Sequence, residues 1–148
     1  MPNPISDGPI ALASDHAGHA LKSELAAHLG RRGIPVLDLG TDGAESVDYP
    51  DYGHALAAAL LDGRAARGVL VCGTGIGISI AANRHAGIRA AVCQDATTAR
   101  LARLHNDANV LALGARIVGP EVARDCLDAF LDTAFEGGRH ARRVEKLG

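Results

Sequence analysis

Short apolar runs alternate along the chain with longer segments whose apolar positions return every three or four residues. Ile10 to Ser14 (IALAS) is almost wholly apolar and predicts a buried strand. Between Gly18 and Arg32, Leu21, Leu25 and Leu29 recur at spacing four and predict a helix with one apolar stripe, closed by Gly33 as C-cap. Pro35 to Leu39 predicts a second strand, Thr41 to Pro50 a polar, turn-rich connection, and Tyr52 to Asp62 an Ala- and Leu-rich helix. Gly68 to Cys72 (GVLVC) predicts a third strand, whose unbroken apolar run suits a parallel sheet covered on both faces. A glycine loop, Gly73 to Gly77, leads into a helix from Ile78 to His85. A strand from Arg89 to Cys93, a helix from Ala96 to Leu104 and a strand from Asn109 to Leu113 follow. Pro120, favourable in a first helical turn, opens a helix running to Phe135, and Gly138 to Leu147 predicts a short basic helix.

Strands alternating with helices in this way imply an α/β fold, a doubly wound, five-stranded parallel sheet with right-handed crossovers. Ligands of such folds lie at the carboxyl ends of the strands, so the residues that follow each strand are the first candidates for chemistry. The 148 residues show no internal repeat, linker or low-complexity stretch, and they fit one domain over residues 10–148. Residues 1–9, rich in Pro, Asn, Asp and Gly, are expected to form a flexible tail. They lack the charged and apolar regions of a signal peptide, and no apolar run is long enough to span a membrane.

Composition removes several partners. The net charge of -2 gives no basic excess for nucleic acid. Two Tyr, two Phe and no Trp leave no stacking platform for single strands. A small anion remains possible, because a local cluster of Arg and His can hold one whatever the total charge. Cys72, Cys93 and Cys126 are far apart, odd in number and without a CxxC pair, which argues against zinc ligation and a disulfide framework. Free thiols suit a cytoplasmic location.

The strongest chemical signal is Cys72-Gly73-Thr74-Gly75-Ile76-Gly77-Ile78-Ser79. Glycines at spacing two let the backbone approach a ligand and turn its N–H groups inward, and the helix that follows aims the positive end of its dipole at the same place. Such a loop suits a phosphate or a developing oxyanion, and it favours the thiolate of Cys72. The bland alternative is a tight turn with a buried Cys, but three glycines exceed what a turn needs. Asp15-His16, directly after the first strand, reads equally well as a proton-relay or ligand-binding pair and as a helix cap beside an exposed imidazole. By itself, His105-Asn106 at a helix C-terminus reads as a favourable helix-end charge, and Arg139 and Arg143, four apart on one helical face, can grip one phosphate, though a solvated basic helix end is the commoner reading. His140, Arg142 and Lys146 read as a solvated face. His19, His28, His54 and His85 have no local partner and read as surface residues, and Cys93 and Cys126 as core fillers.

Taken together, several segments resemble the ribose-5-phosphate isomerase B and galactose-6-phosphate isomerase family. They are Ser14-Asp15-His16-Ala17-Gly18, Asp48-Tyr49-Pro50-Asp51-Tyr52, Cys72 to Asn83 (CGTGIGISIAAN), Gly87-Ile88-Arg89-Ala90, His105 to Asn109 (HNDAN), Gly114-Ala115-Arg116 and Phe135 to His140 (FEGGRH). The similarity runs from Ile10 to the end. It implies a Rossmann-like three-layer α/β/α sandwich and a homodimer or tetramer with active sites shared across the dimer interface. The implied reaction is aldose–ketose isomerisation of a phosphorylated sugar through an enediolate, without metal or cofactor. Carried over by position, Cys72 is the base that moves the proton between C2 and C1. Thr74 shuttles the hydroxyl proton, and the N–H groups of Gly73, Gly75, Ile76 and Gly77 hold the enediolate. His105 opens the furanose ring with Asp15 as helper. His16, Arg116, Arg139 and Arg143 hold the phosphate, and Asn106 and Tyr49 contact the sugar. In the resembled proteins His105, Asn106 and Arg116 reach in from the partner subunit.

One position departs from part of that family. Some members carry a Glu base four residues after the loop Thr; here Ile78 stands there, so the role falls to Cys72. The full set is present in one chain, which implies a self-sufficient homo-oligomer. Ribose 5-phosphate is the first substrate expected, with allose, galactose or tetrose phosphates as alternatives. A nucleotide-binding module is the competing class: Gly73 and Gly75 match the start of GxGxxG, and Asp95 follows the next strand. Against it, the third glycine position is Ile78, the loop follows the third strand rather than the first, and the chain is short for a dinucleotide fold with a substrate domain.

Overall fold

The computed structural model describes residues 8–148, so residues 1–7 of the expected tail lie outside the described residues. The strands are β1 (Ile10–Ser14), β2 (Val36–Asp38), β3 (Arg67–Cys72), β4 (Ala90–Val92) and β5 (Val110–Gly114). The helices are α1 (His19–Arg31), α2 (Tyr49–Leu61), α3 (Ile76–Asn83), α4 (Ala96–Asn106), α5 (Pro120–Asp132) and α6 (Arg139–Glu145). All strand pairs are parallel, in the order β2-β1-β3-β5-β4.

Period-two alternation divides the central strands between two cores. Ile10, Leu12, Val69, Val71, Leu111 and Leu113 face Leu21, Leu25 and Leu29 of α1 and Leu127, Phe130 and Leu131 of α5. Ala11, Ala13, Leu70, Cys72, Val110 and Ala112 face Leu56 and Ala57 of α2 and Ile78 and Ala82 of α3. Helices on both faces complete the expected α/β/α sandwich. Among the described residues no helix is long and apolar enough to cross a membrane.

Most boundaries shift by one or two residues (α3 spans Ile76–Asn83 rather than Ile78 to His85), and the two largest shifts each have a visible reason. Helix α2 begins at Tyr49 rather than Tyr52, because Asp48 adopts the extended conformation of an N-cap and Pro50 fits the first turn. Helix α5 stops at Asp132 rather than Phe135, where Thr133 turns extended. The buried Arg103 captures the freed chain: its Nε donates to Thr133 O at 3.1 Å, and its Nη1 donates to Asp107 Oδ1 at 2.8 Å and Ala108 O at 2.7 Å. Arg103→Ala takes the donor from the Thr133 and Ala108 carbonyls and from the Asp107 carboxylate, and we expect a loss of about 3 kcal/mol in denaturant unfolding.

Lys22 is also buried, yet its Nζ reaches Asp38 Oδ1 at 2.6 Å and Thr41 O at 2.8 Å. It ties α1 to the segment leaving β2, the same segment whose Val47 N–H donates to His16. Burial tends to raise the Asp38 pKa, but the bonds from Lys22 and the Gly40 N–H win and hold it below the usual value. A depressed carboxylate contributes stability above its unfolded pKa of about 3.9 and loses it as pH falls through the folded value. Thermal stability should therefore fall below about pH 4, and Asp38→Asn should flatten part of that decline.

Candidate active site

The strand order places a switch point between β1 and β3: the chain leaves β1 through α1 on one face and leaves β3 through α3 on the other. A crevice opens there at the carboxyl ends of the strands. It is an open cleft of about 390 Å³, lined by Asp15, Tyr49, Cys72, Thr74, Gly77 and Arg116 among others.

Cys72 ends β3 and is buried, 4% exposed. Its Sγ accepts the Gly75 N–H at 3.2 Å, at the N-terminus of α3. An N–H donor and the N-terminal end of a helix thus face that sulfur. Gly75 has φ +80, and a Cβ there would lie 2.9 Å from the carbonyl carbon of Leu113, so backbone freedom and space both require glycine. A Cβ on Gly77 would meet the Tyr49 ring at 2.6 Å; its absence lets that ring lie over the loop. Thr74 is exposed at the tip, its Oγ1 accepting the Ile76 N–H at 3.2 Å. The other two thiols are buried in the opposite core, where burial pushes Cys93 up to about 12 and Cys126 up to about 11.

Asp15 accepts the Gly18 N–H at 3.0 Å in the turn before α1; Gly18, not Asp15, is the N-cap and the helix has no side-chain cap, so the expected Asp15 cap is not formed and the carboxylate stays on the cleft wall. His16 Nδ1 accepts the Val47 N–H at 3.1 Å, so the neutral ring carries its proton on Nε2. Arg116 follows β5 and donates its backbone N–H to Gly73 O at 3.0 Å. Its guanidinium lies 3.6 Å from where a Cβ on Gly73 would stand. Arg116 therefore reaches the loop of its own chain and needs no partner to do so, unlike the arrangement the resemblance implies.

The remaining sequence candidates are elsewhere. Helix α4 runs against the strands, so His105 and Asn106 at its end lie at the amino-terminal edge of the sheet. A five-residue strand spans about 16 Å, the scale that separates them from the loop. Arg139 and Arg143 of α6 accompany them, because the Glu136 N–H donates to Leu104 O at 3.1 Å and brings α6 against α4. His140 is buried there, against the solvated face expected for it, and stacks on His105 with centroids 4.6 Å apart. His105, Glu136 and His140 bring ligand-type atoms within 4.8 Å of one another. Planes only 19° apart direct the ring lone pairs side by side rather than to one point, and Arg139 and Arg143 on α6 add positive charge. That arrangement suits a stacked pair better than a cation.

The comparisons with known proteins decide the family. Residues 10–147 match the family described as Ribose/Galactose Isomerase. The chain belongs to this family. It is 52% identical over 138 residues to ribose-5-phosphate isomerase B of Escherichia coli, covering 93% of each chain. It is 47% identical to D-erythrulose-4-phosphate isomerase of Pectobacterium atrosepticum, covering 94% of this chain and 92% of that one. The Clostridium thermocellum ribose-5-phosphate isomerase B structure superposes with a TM-score of 0.94 at 55% identity, covering 95% of both chains.

Within this isomerase fold, Asp95, the acid of the competing nucleotide reading, caps α4 by accepting the Thr98 N–H at 2.7 Å. Ile78 is fully buried in the core. Sequence reasoning missed partners that lie far along the chain: His28 bonds Asp128 at 2.7 Å and His54 bonds His85 at 2.7 Å. No local pattern marks such pairs. For His140, the buried i, i+4 neighbourhood of Glu136 was the one available signal.

Proposed function

We propose that the chain interconverts ribose 5-phosphate and ribulose 5-phosphate through an enediolate, with Cys72 as the base and no metal ion. The observation that carries this reading is the Cys72 sulfur accepting the Gly75 N–H at the N-terminus of α3, inside the cleft. The Cys72 thiolate takes the C2 proton, and the electron pair moves onto the C1 carbonyl oxygen. N–H groups of the loop from Gly73 to Gly77 hold that oxyanion, those of Gly75 and Ile76 exchanging the Cys72 Sγ and Thr74 Oγ1 acceptors for it. Thr74, exposed at the tip, moves the hydroxyl proton between O2 and O1. Cys72 then returns its proton to C1.

Tyr49 over the loop and Asn106 contact the sugar; His16, Arg116, Arg139 and Arg143 hold the phosphate, whose binding energy positions the reacting carbons. His105 opens the furanose, with Asp15 assisting. In one chain His105, Asn106, Arg139 and Arg143 lie at the far end of the sheet from Cys72. A complete site therefore joins the loop of one chain to the α4–α6 end of another, in a homodimer or tetramer. Three unpaired thiols suit a cytoplasmic enzyme.

A second reading keeps the chemistry and changes the sugar, since a relative at 47% identity is named for a tetrose phosphate. The test is kcat/KM of the purified protein for ribose 5-phosphate against allose 6-, galactose 6- and erythrose 4-phosphate. The highest value is expected for ribose 5-phosphate. A higher value for another sugar would move the assignment to it, and no turnover of any of them would return the nucleotide-binding module to first place.

A further inference from the structure

The histidine stack at the end of α4 asks for an explanation that the ring-opening role of His105 alone does not give. His140 is 6% exposed, and its Nε2 has no hydrogen-bond partner among the described residues. The nearest candidate, Glu136 Oε1, is 3.8 Å away, beyond hydrogen-bond reach. A buried polar atom left unsatisfied costs stability, so such a residue calls for another reason to be there. Its ring instead lies flat against His105, centroids 4.6 Å apart and planes 19° apart.

The chain builds this contact deliberately. Gly137 (φ +71) and Gly138 (φ +57) turn the chain sharply into α6, the Glu136 N–H holds it to Leu104 O at 3.1 Å, and the His140 N–H closes the turn on Gly137 O at 3.1 Å. Burial, with the positive charges of Arg139, His105 and Arg143, holds the His140 pKa below its usual value against the pull of Glu136. The His140 ring face lies against the His105 imidazole in this environment.

We propose that His140 is a positioning residue for His105, its ring fixing the plane of the imidazole that opens the sugar ring. This rests on the ring-opening role given to His105 above. His105 is half-buried at the last turn of α4, and its neighbour Asp107 is in the left-handed conformation. The stack gives the His105 ring one orientation where the end of a helix would otherwise leave it several. Misplacement by an ångström costs a proton-transfer group much of its effect.

The reaction supplies its own control. Ribose 5-phosphate closes to a furanose through O4, so it must be opened. Ribulose 5-phosphate has its carbonyl at C2 and its O5 esterified, so it forms no furanose and needs no opening. We expect His140→Ala to lower kcat/KM for ribose 5-phosphate by about tenfold or more while initial consumption of ribulose 5-phosphate changes less than about twofold. His140→Phe, which keeps a flat ring without nitrogens, should restore most of the loss, and His105→Ala should show the same asymmetry between substrates. Equal loss on both substrates, no loss, or failure of Phe to rescue would overturn the positioning role. Absence of wild-type turnover, or a His105→Ala loss equal on both substrates, would instead overturn the underlying reading of the enzyme or of His105.

Discussion

Cys72→Ala should lower kcat for ribose 5-phosphate by about a thousandfold or more, with the affinity for sugar phosphate nearly unchanged. On the proposed mechanism the base has no substitute among the groups that line the cleft. The position from which a carboxylate could act is occupied by Ile78, which is fully buried. Asp15 is committed to the Gly18 N–H. The phosphate-binding residues and the glycine loop survive the substitution, so the loss should fall on kcat rather than on KM. Steady-state kinetics with equilibrium binding of ribose 5-phosphate checks this. Retention of more than a tenth of the wild-type rate would remove Cys72 from the role. Alkylation gives the same answer chemically: sugar phosphate should protect Cys72, while Cys93 and Cys126, pushed up to about 12 and about 11 by burial, should react slowly.

Mixing two variants that are each impaired on ribose 5-phosphate should restore activity toward that substrate. Cys72→Ala leaves the α4–α6 end intact, and His105→Ala leaves the loop intact. If each site takes Cys72 from one chain and His105 from another, a mixed dimer holds one complete site and one doubly deficient one. Random reassortment makes half of the dimers mixed, so about a quarter of the wild-type rate should return after subunit exchange. Activity no greater than the mean of the two variants would mean that both residues serve within one chain. The topology opposes that outcome, because α4 carries His105 away from the carboxyl ends of the strands.

The fold was legible because its signals are local. Apolar runs and spacing-four leucines marked all five strands and six helices, and the parallel order follows from their alternation. The loop was legible because glycines at spacing two are a local pattern, although what Gly75 and Gly77 make room for, Leu113 and Tyr49, lies far along the chain. What the sequence could not give is contact across distance. Arg103 ends α5 by capturing Thr133, 30 residues away. His28 finds Asp128 across 100 residues. Asp15 carried two open readings, and the cap is not formed: Gly18 is the N-cap of α1, while the Asp15 carboxylate holds the turn before it and lines the cleft. The position of Arg116 beside its own Gly73 was likewise hidden, since that contact depends on β3 and β5 being neighbours.

The most direct test of the central claim is isomerisation of ribose 5-phosphate in deuterium oxide with excess chelator, followed by nuclear magnetic resonance of the product. Proton transfer by the Cys72 thiol predicts an undiminished rate and a measurable fraction of ribulose 5-phosphate carrying solvent deuterium at C1. Loss of turnover in chelator would contradict the metal-free mechanism, and conversion in which every product molecule keeps the hydrogen that began at C2, at a rate that Cys72→Ala leaves unchanged, would contradict proton transfer by the thiol.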